Sequence, residues 1–133
     1  MTARRILTLA LLAGLLGSAA ELVLLEHWED WKQWSPFAVI ALSLLAMLVG
    51  RSRPTLLRWA GGLQALTGVV GIVLHTRGNY NYEAENHPEV VGSALAQAVA
   101  TGSSPLLAPG ALCFAGLVLI ALTLLPPDER DTR

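Results

Sequence analysis

Charge is scarce in this sequence. Only 14% of the 133 residues are Asp, Glu, Lys or Arg, whereas a soluble domain usually has about a quarter. Hydrophobic residues make up 53% of the chain, and its mean hydropathy is +0.52. This composition predicts a chain that has lipid as its solvent.

Two further deficits exclude whole classes of function. Nine basic residues stand against ten acidic ones and form no basic stripe, which argues against a nucleic-acid partner. Cys113 is the single cysteine, so the chain has neither an intrachain disulfide nor a thiol redox relay. Four-helix enzymes of the vitamin K epoxide reductase type need cysteine pairs, so the single cysteine excludes this class as well.

Four apolar stretches predict an all-α, four-helix membrane bundle that forms one domain over residues 1–133. A helix needs about 20 residues to cross a hydrocarbon core of about 30 Å. The predicted spans are 6–25, 35–50, 56–75 and 107–125, with a loop over 76–106. The second stretch is short, but the charges on either side of it require a span. A cleaved signal peptide ending near Ser18–Ala20 is the rival interpretation, and it is disfavoured because the apolar run continues past that site.

The basic residues predict the orientation. The positive-inside rule places the loops rich in Lys and Arg in the cytoplasm. We therefore expect a bacterial inner-membrane protein with both termini cytoplasmic and the 76–106 loop outside. Seven of the nine basic residues fall on one side of the predicted spans: Arg4, Arg5, Arg51, Arg53, Arg58, Arg130 and Arg133.

Small residues predict how the helices pack. In lipid the hydrophobic effect does not drive helices together, so close packing of their backbones through small residues does so instead. Gly61, Ala65 and Gly68 follow one face of span 3, Gly14 and Ser18 form a pair in span 1, and Gly116 lies in span 4. We expect spans 1, 3 and 4 to form the tight core and span 2 to be more exposed to lipid. The same faces would also serve a homo-oligomer.

The 76–106 segment is long for so small a protein. Gly78-Asn79 and His87-Pro88 are turn signals, and residues 89–100 predict a short helix on the outer surface. Loops of this length usually carry function. One hypothesis is therefore a structural subunit that docks a larger membrane complex through this loop.

Histidines and acids gather at the predicted outer end. If the helix of span 1 continues past residue 25, Glu26 and Asp30 share a face and His27 reaches Asp30. His75 ends span 3 at the same depth. Imidazole and carboxylate ligands suit a first-row transition metal such as Zn, Cu, Fe or Mn. The leading hypothesis is a non-enzymatic binding or accessory protein with His27, Asp30, His75 and Glu26 as metal ligands, and with Glu83, Glu85 and His87 nearby.

Three alternatives remain open for this cluster. Acids and histidines at a membrane surface can simply form a solvated turn, with Trp28, Trp31 and Trp34 at the headgroup level. His27 and His75 could instead hold a haem or a quinone. Glu21 lies within the apolar run, where a carboxylate is expensive, and it could serve a proton-coupled transporter.

The chain also resembles a known type of protein. The segments HTRGN (75–79), YEAE (82–85), SSPLLAPG (103–110) and EHWEDWKQWSP (26–36) look like those of a type of small four-helix bacterial inner-membrane protein. The resemblance implies the topology and brings no activity or ligand with it. Small multidrug-resistance transporters are similar in length and have a carboxylate in span 1. They differ in that Glu21 lies near the outer end and the 76–106 loop is long.

Overall fold

A computed structural model describes residues 2–50 and 53–126. Within these ranges the protein is all-helical, which confirms the all-α prediction. The predicted positions Arg51, Arg130 and Arg133 lie outside the described residues. The helices are α1 (Ala3–Leu24), α2 (Trp34–Val49), α3 (Pro54–Asn86), α4 (Gly92–Thr101) and α5 (Leu107–Leu122), with a 3-10 turn over Trp31–Gln33.

Three helical segments are long and apolar enough to cross a membrane: Ala3–Leu24, Trp31–Val49 and Pro54–Asn86. Helix α5 is apolar but has 16 residues. The composition and these segments are consistent with a membrane protein.

Helix α3 is longer than the sequence pattern predicts. It continues without a break to Asn86, so the predicted loop over 76–106 and the predicted turn at Gly78-Asn79 are wrong for residues 76–86. At 1.5 Å per residue its 33 residues reach roughly 50 Å. The helix ends at His87, whose backbone leaves the helical region (φ −135°, ψ 57°), because a residue before proline disfavours that conformation.

The helices pack around one apolar core. Helix α5 packs against α3 and α1, and α2 packs against α3 and α1, so α1 and α3 lie on opposite sides of the core. Leu15 and Leu119 are fully buried there. Helix α2 buries Val39, Ile40, Ser43 and Ala46, whereas α1 buries only Leu11, Leu15 and Leu22. The prediction that the second span is more lipid-exposed than the first is therefore wrong.

Glycines bring α3 and α5 together. A Cβ added to Gly61 would lie 2.6 Å from the Gly116 carbonyl oxygen, and one added to Gly68 would lie 2.6 Å from the Pro109 carbonyl oxygen. Only glycine permits this approach. A Cβ on Gly14 would meet no atom within 4 Å, so Gly14 brings no other helix close within the described part of the chain.

The buried amide of Gln64 has a partner across the helix interface. Ser43 of α2 donates its hydroxyl to the Gln64 Oε1 atom. The Gln64 Nε2 atom is buried and has no hydrogen-bond partner among the described residues. The predicted cross-helix bond is present, and it satisfies half of the amide.

Candidate functional site

A cavity of about 570 Å³ opens between α1, α3 and α5. It lies at the end of the helices that carries His27, His75 and the 3-10 turn, which we call the histidine end. Ligand cavities in proteins usually measure roughly 300–1,000 Å³. Its apolar walls include Leu22 of α1, Leu66, Val70 and Leu74 of α3, and Leu112 of α5.

Predicted site residues line this one cavity from separate elements. Glu21 comes from α1, His27 and Asp30 come from the segment after α1, and His75 comes from α3. The sequence therefore identified four polar residues that the fold brings to the same space. Of the predicted metal ligands, Glu26 is the one that is not among the lining residues in the described part of the chain.

The end of α1 explains the position of His27. The Glu26 amide donates to the Val23 carbonyl oxygen at 3.1 Å, and the His27 amide donates to the Leu22 carbonyl oxygen at 2.9 Å. Glu26 itself has a positive φ of 49°. This is a Schellman motif, in which a left-handed residue reverses the chain and ends the helix.

The helical spacing used to predict the site is therefore wrong. Glu26 and Asp30 do not share a helical face, because the helix stops before both of them. The reversal leaves Glu26 exposed and His27 partly buried. His27 and Asp30 reach the same cavity through this turn rather than through an extended helix.

A hydrogen bond holds His75, and the surroundings of His27 lower its pKa. The His75 Nδ1 atom lies 2.8 Å from the Pro105 carbonyl oxygen. Since a carbonyl oxygen only accepts, Nδ1 is the donor of this bond. Partial burial lowers the pKa of His27 below its usual 6.5, and the neighbouring His75 lowers it further. Both effects favour the uncharged form of His27.

The 3-10 turn fixes Asp30 and Lys32 at the cavity. The Asp30 Oδ1 atom accepts from the Lys32 amide at 3.4 Å, and the Asp30 amide donates to the Gln33 Oε1 atom at 3.2 Å. The Asp30 side chain also accepts from the Gln33 amide, so Asp30 and Gln33 form a reciprocal capping box. The Lys32 Nζ atom lies over the Trp31 ring, 5.9 Å from its centroid, which is within cation–π range.

Glu21 contributes an exposed carboxylate to the cavity. It lines the cavity from the last turns of α1. Within residues 2–50 and 53–126, its side chain makes no hydrogen bond or ion pair. A carboxylate in an apolar segment normally pairs with another group or serves a function.

The arrangement lacks the geometry of a metal centre. Among the described residues, no three His, Cys, Asp or Glu side chains lie close enough to hold one ion. One Asp30 oxygen is engaged in the capping box, and Glu26 lies outside the cavity. The metal hypothesis for His27, Asp30, His75 and Glu26 gains no support from this geometry and stays a prediction.

The remaining predicted residues lie elsewhere. Glu83 and Glu85 are on the last turns of α3, and His87 follows that helix. The His87 Nδ1 atom is 3.8 Å from a Glu89 carboxylate oxygen, and its ring is 6.4 Å from the Tyr82 ring. In the described part of the chain, none of the three predicted residues lines the cavity.

Sequence reasoning missed Asn79, which supports one wall of the cavity. Its Nδ2 atom donates to the Val99 and Ser104 carbonyl oxygens at 2.9 and 3.0 Å, and its Oδ1 atom accepts from the Ser104 amide at 3.0 Å. The bonds hold the segment before α5, and hence Pro105, against α3. Asn79 follows His75 by four positions, which is the signal that a continuous helix would have offered.

Comparisons with known proteins add nothing to this geometry. The chain matches no protein-family model, no curated protein and no solved structure. The site must therefore be judged by its own residues.

Proposed function

We propose that this chain is a four-span protein of the bacterial inner membrane, with both termini in the cytoplasm and the histidine end outside. Three spanning segments and the apolar α5 support four crossings. Arg4 donates to the Leu125 carbonyl oxygen at 3.1 Å, and Arg58 donates to the Thr123 hydroxyl at 3.0 Å. These contacts gather basic residues at the end opposite the cavity, as the positive-inside rule requires of a cytoplasmic surface.

The protein acts as a non-enzymatic binding or accessory protein, and the cavity at the histidine end is its binding site. The observation that carries this proposal is the convergence of Glu21, His27, Asp30 and His75 on one apolar-walled cavity. A few polar groups in a mostly apolar cavity are the usual composition of a small-molecule site.

Native mass spectrometry of the protein released from its own membranes tests the proposal. Val70→Trp places a large ring in the cavity, so a bound small molecule seen on the wild type should be lost. Val69→Trp is the matched control, because Val69 and Val70 are 47% and 48% exposed and only Val70 lines the cavity among the described residues. Equal retention of the molecule by both variants would remove the cavity as its site.

The hypothesis that the site binds a transition metal is tested separately. Elemental analysis of protein purified without chelator or histidine tag would detect a transition metal, and an absorption spectrum would detect haem. His27 and His75 are the residues to test, because both line the cavity. Metal content that is unchanged in His27→Ala and His75→Ala would exclude this form.

Glu21 favours a second function, proton-coupled transport. An unpartnered carboxylate on an apolar cavity is a group that could exchange a proton for a substrate. In liposomes, pH-driven flux should vanish with Glu21→Gln and persist with Glu29→Gln, a carboxylate that is not a lining residue. Flux that survives Glu21→Gln would exclude this function.

A further inference from the structure

The cavity is lined by two carboxylates, two imidazoles and the Lys32 ammonium, besides neutral Ser, Thr and Gln side chains. Glu21 and Asp30 contribute carboxylates, and His27 and His75 contribute imidazoles. The lowered pKa of His27 favours its uncharged form, and the His75 Nδ1 atom is engaged with the Pro105 carbonyl oxygen at 2.8 Å. A ligand that donates hydrogen bonds or carries positive charge suits such a lining.

Lys32 is the one cationic group at the cavity in the described part of the chain. Its ammonium lies over the Trp31 ring, and that ring is 78% exposed. Asp30 already serves the capping box through one oxygen. Neither contact supplies a counter-charge to Glu21, whose carboxylate has no ion pair within residues 2–50 and 53–126.

The other walls of the cavity add no charge. Helix α3 contributes His75 as its one titratable lining residue, and the α5 side contributes Pro105, Ala108, Pro109 and Leu112. The charged groups that a ligand meets are therefore Glu21, Asp30 and Lys32. Glu21 and Asp30 carry two negative charges, and Lys32, which lies over the Trp31 ring, carries one positive charge. One negative charge at the cavity is therefore unmatched.

We propose that the cavity binds a cationic amphiphile, an ammonium head on an apolar body, with the Glu21 carboxylate as the counter-ion of the head. This inference rests on the proposed function of the cavity as a binding site. The apolar body lies against Leu66, Val70 and Leu112. An anionic head would meet two carboxylates, and a neutral head would leave Glu21 without a partner, so both should bind more weakly.

A pair of fluorescent probes tests the proposal: a dansyl-labelled long-chain amine and the dansyl-labelled alcohol of the same length. The full chain is reconstituted in lipid nanodiscs, and energy transfer from Trp28, Trp31 and Trp34 beside the cavity reports probe binding. Unlabelled competitor separates saturable binding from partition into lipid. We expect the wild type to bind the amine at least about tenfold more tightly than the alcohol, which corresponds to about 1.4 kcal/mol.

Two variants test whether Glu21 causes the preference for the amine over the alcohol. Glu21→Gln should bind both probes alike, while Glu29→Gln should keep the wild-type preference. Glu21→Gln removes a charge from an apolar helix and should not impair insertion, and its binding of the alcohol shows that the variant is folded. Preference for the amine that survives Glu21→Gln overturns the assignment of Glu21.

The remaining outcomes separate this inference from the function on which it rests. If the wild type binds both probes equally and Val70→Trp abolishes both, the cavity is a binding site but the cationic class is wrong. If Val70→Trp changes the saturable binding of neither probe, the cavity is not the site and the proposed function fails as well.

Discussion

Replacing Asn79 by alanine should remove the bonds that hold the segment before α5 against α3. Asn79 is 2% exposed, and its amide makes three hydrogen bonds of 2.9–3.0 Å to Val99 and Ser104. The side chain also fills the space beside Gly102, where an added Cβ would lie 2.6 Å from the Asn79 Cγ atom. The substitution therefore removes hydrogen bonds and packing together.

The expected loss of unfolding free energy is about 2–4 kcal/mol. Each buried hydrogen bond contributes about 0.5–1.5 kcal/mol net, and the backbone groups of Val99 and Ser104 lose their partner at the same time. Titration with a denaturing detergent, followed by tryptophan fluorescence, measures this loss. Hydrogen exchange at the Ser104 amide should become faster, because that amide donates to Asn79 in the folded protein.

Asn86→Ala is the matched control on the same helix. Asn86 is exposed and donates to the Tyr82 carbonyl oxygen within its own helix at 2.9 Å, so its loss should cost less than about 0.5 kcal/mol. Equal effects of Asn79→Ala and Asn86→Ala, with unchanged exchange at Ser104, would refute the role given to Asn79.

Three further predictions concern local structure and are measured by the same detergent titration. Glu26→Gly should stabilise the protein by about 1 kcal/mol, because glycine adopts the left-handed conformation that ends α1 without strain; a loss of stability would contradict this. Gly68→Ala should lower the free energy of unfolding by about 1–3 kcal/mol, because the added methyl group forces α3 and α5 apart. Gly62→Ala is the control and should not destabilise the protein, because there is open space around its Cβ. Ser43→Ala should lower the free energy of unfolding by about 1–3 kcal/mol. Adding Gln64→Leu should restore most of this stability, because the double variant leaves no unpaired amide. A double variant less stable than Ser43→Ala would contradict this explanation.

The helical class could be predicted from the sequence because apolar runs long enough to span a membrane have few alternatives. The glycine faces of α3 and α5 also followed from spacing, and Gly61, Gly68 and Gly116 make the close contacts. Gly14 makes no such contact among the described residues, because a face of small residues requires a partner helix and spacing alone does not identify one.

The two errors at the histidine end have different physical causes. Tertiary contacts override the turn signal at Gly78-Asn79, whereas the turn at Glu26 has no glycine to signal it. Tertiary bonds from Asn79 hold that part of α3 helical, which local propensity cannot show. At Glu26 a non-glycine residue adopts the left-handed conformation, so the usual glycine signal for the end of a helix is missing.

The cavity arises because the side chains between the helices differ in size along the length of the bundle. Large leucines occupy the core between α1 and α5 away from the histidine end, and Leu15 and Leu119 are fully buried there. Towards the histidine end, the small residues Ser18, Gly71 and Ala108 line the space together with leucines and leave it open. A purely structural core gains stability when such space is filled, because side chains that line a void lose contacts. Val70→Trp should therefore leave stability unchanged or raised while ligand binding is lost, and such a separation would mark the space as one kept open for binding.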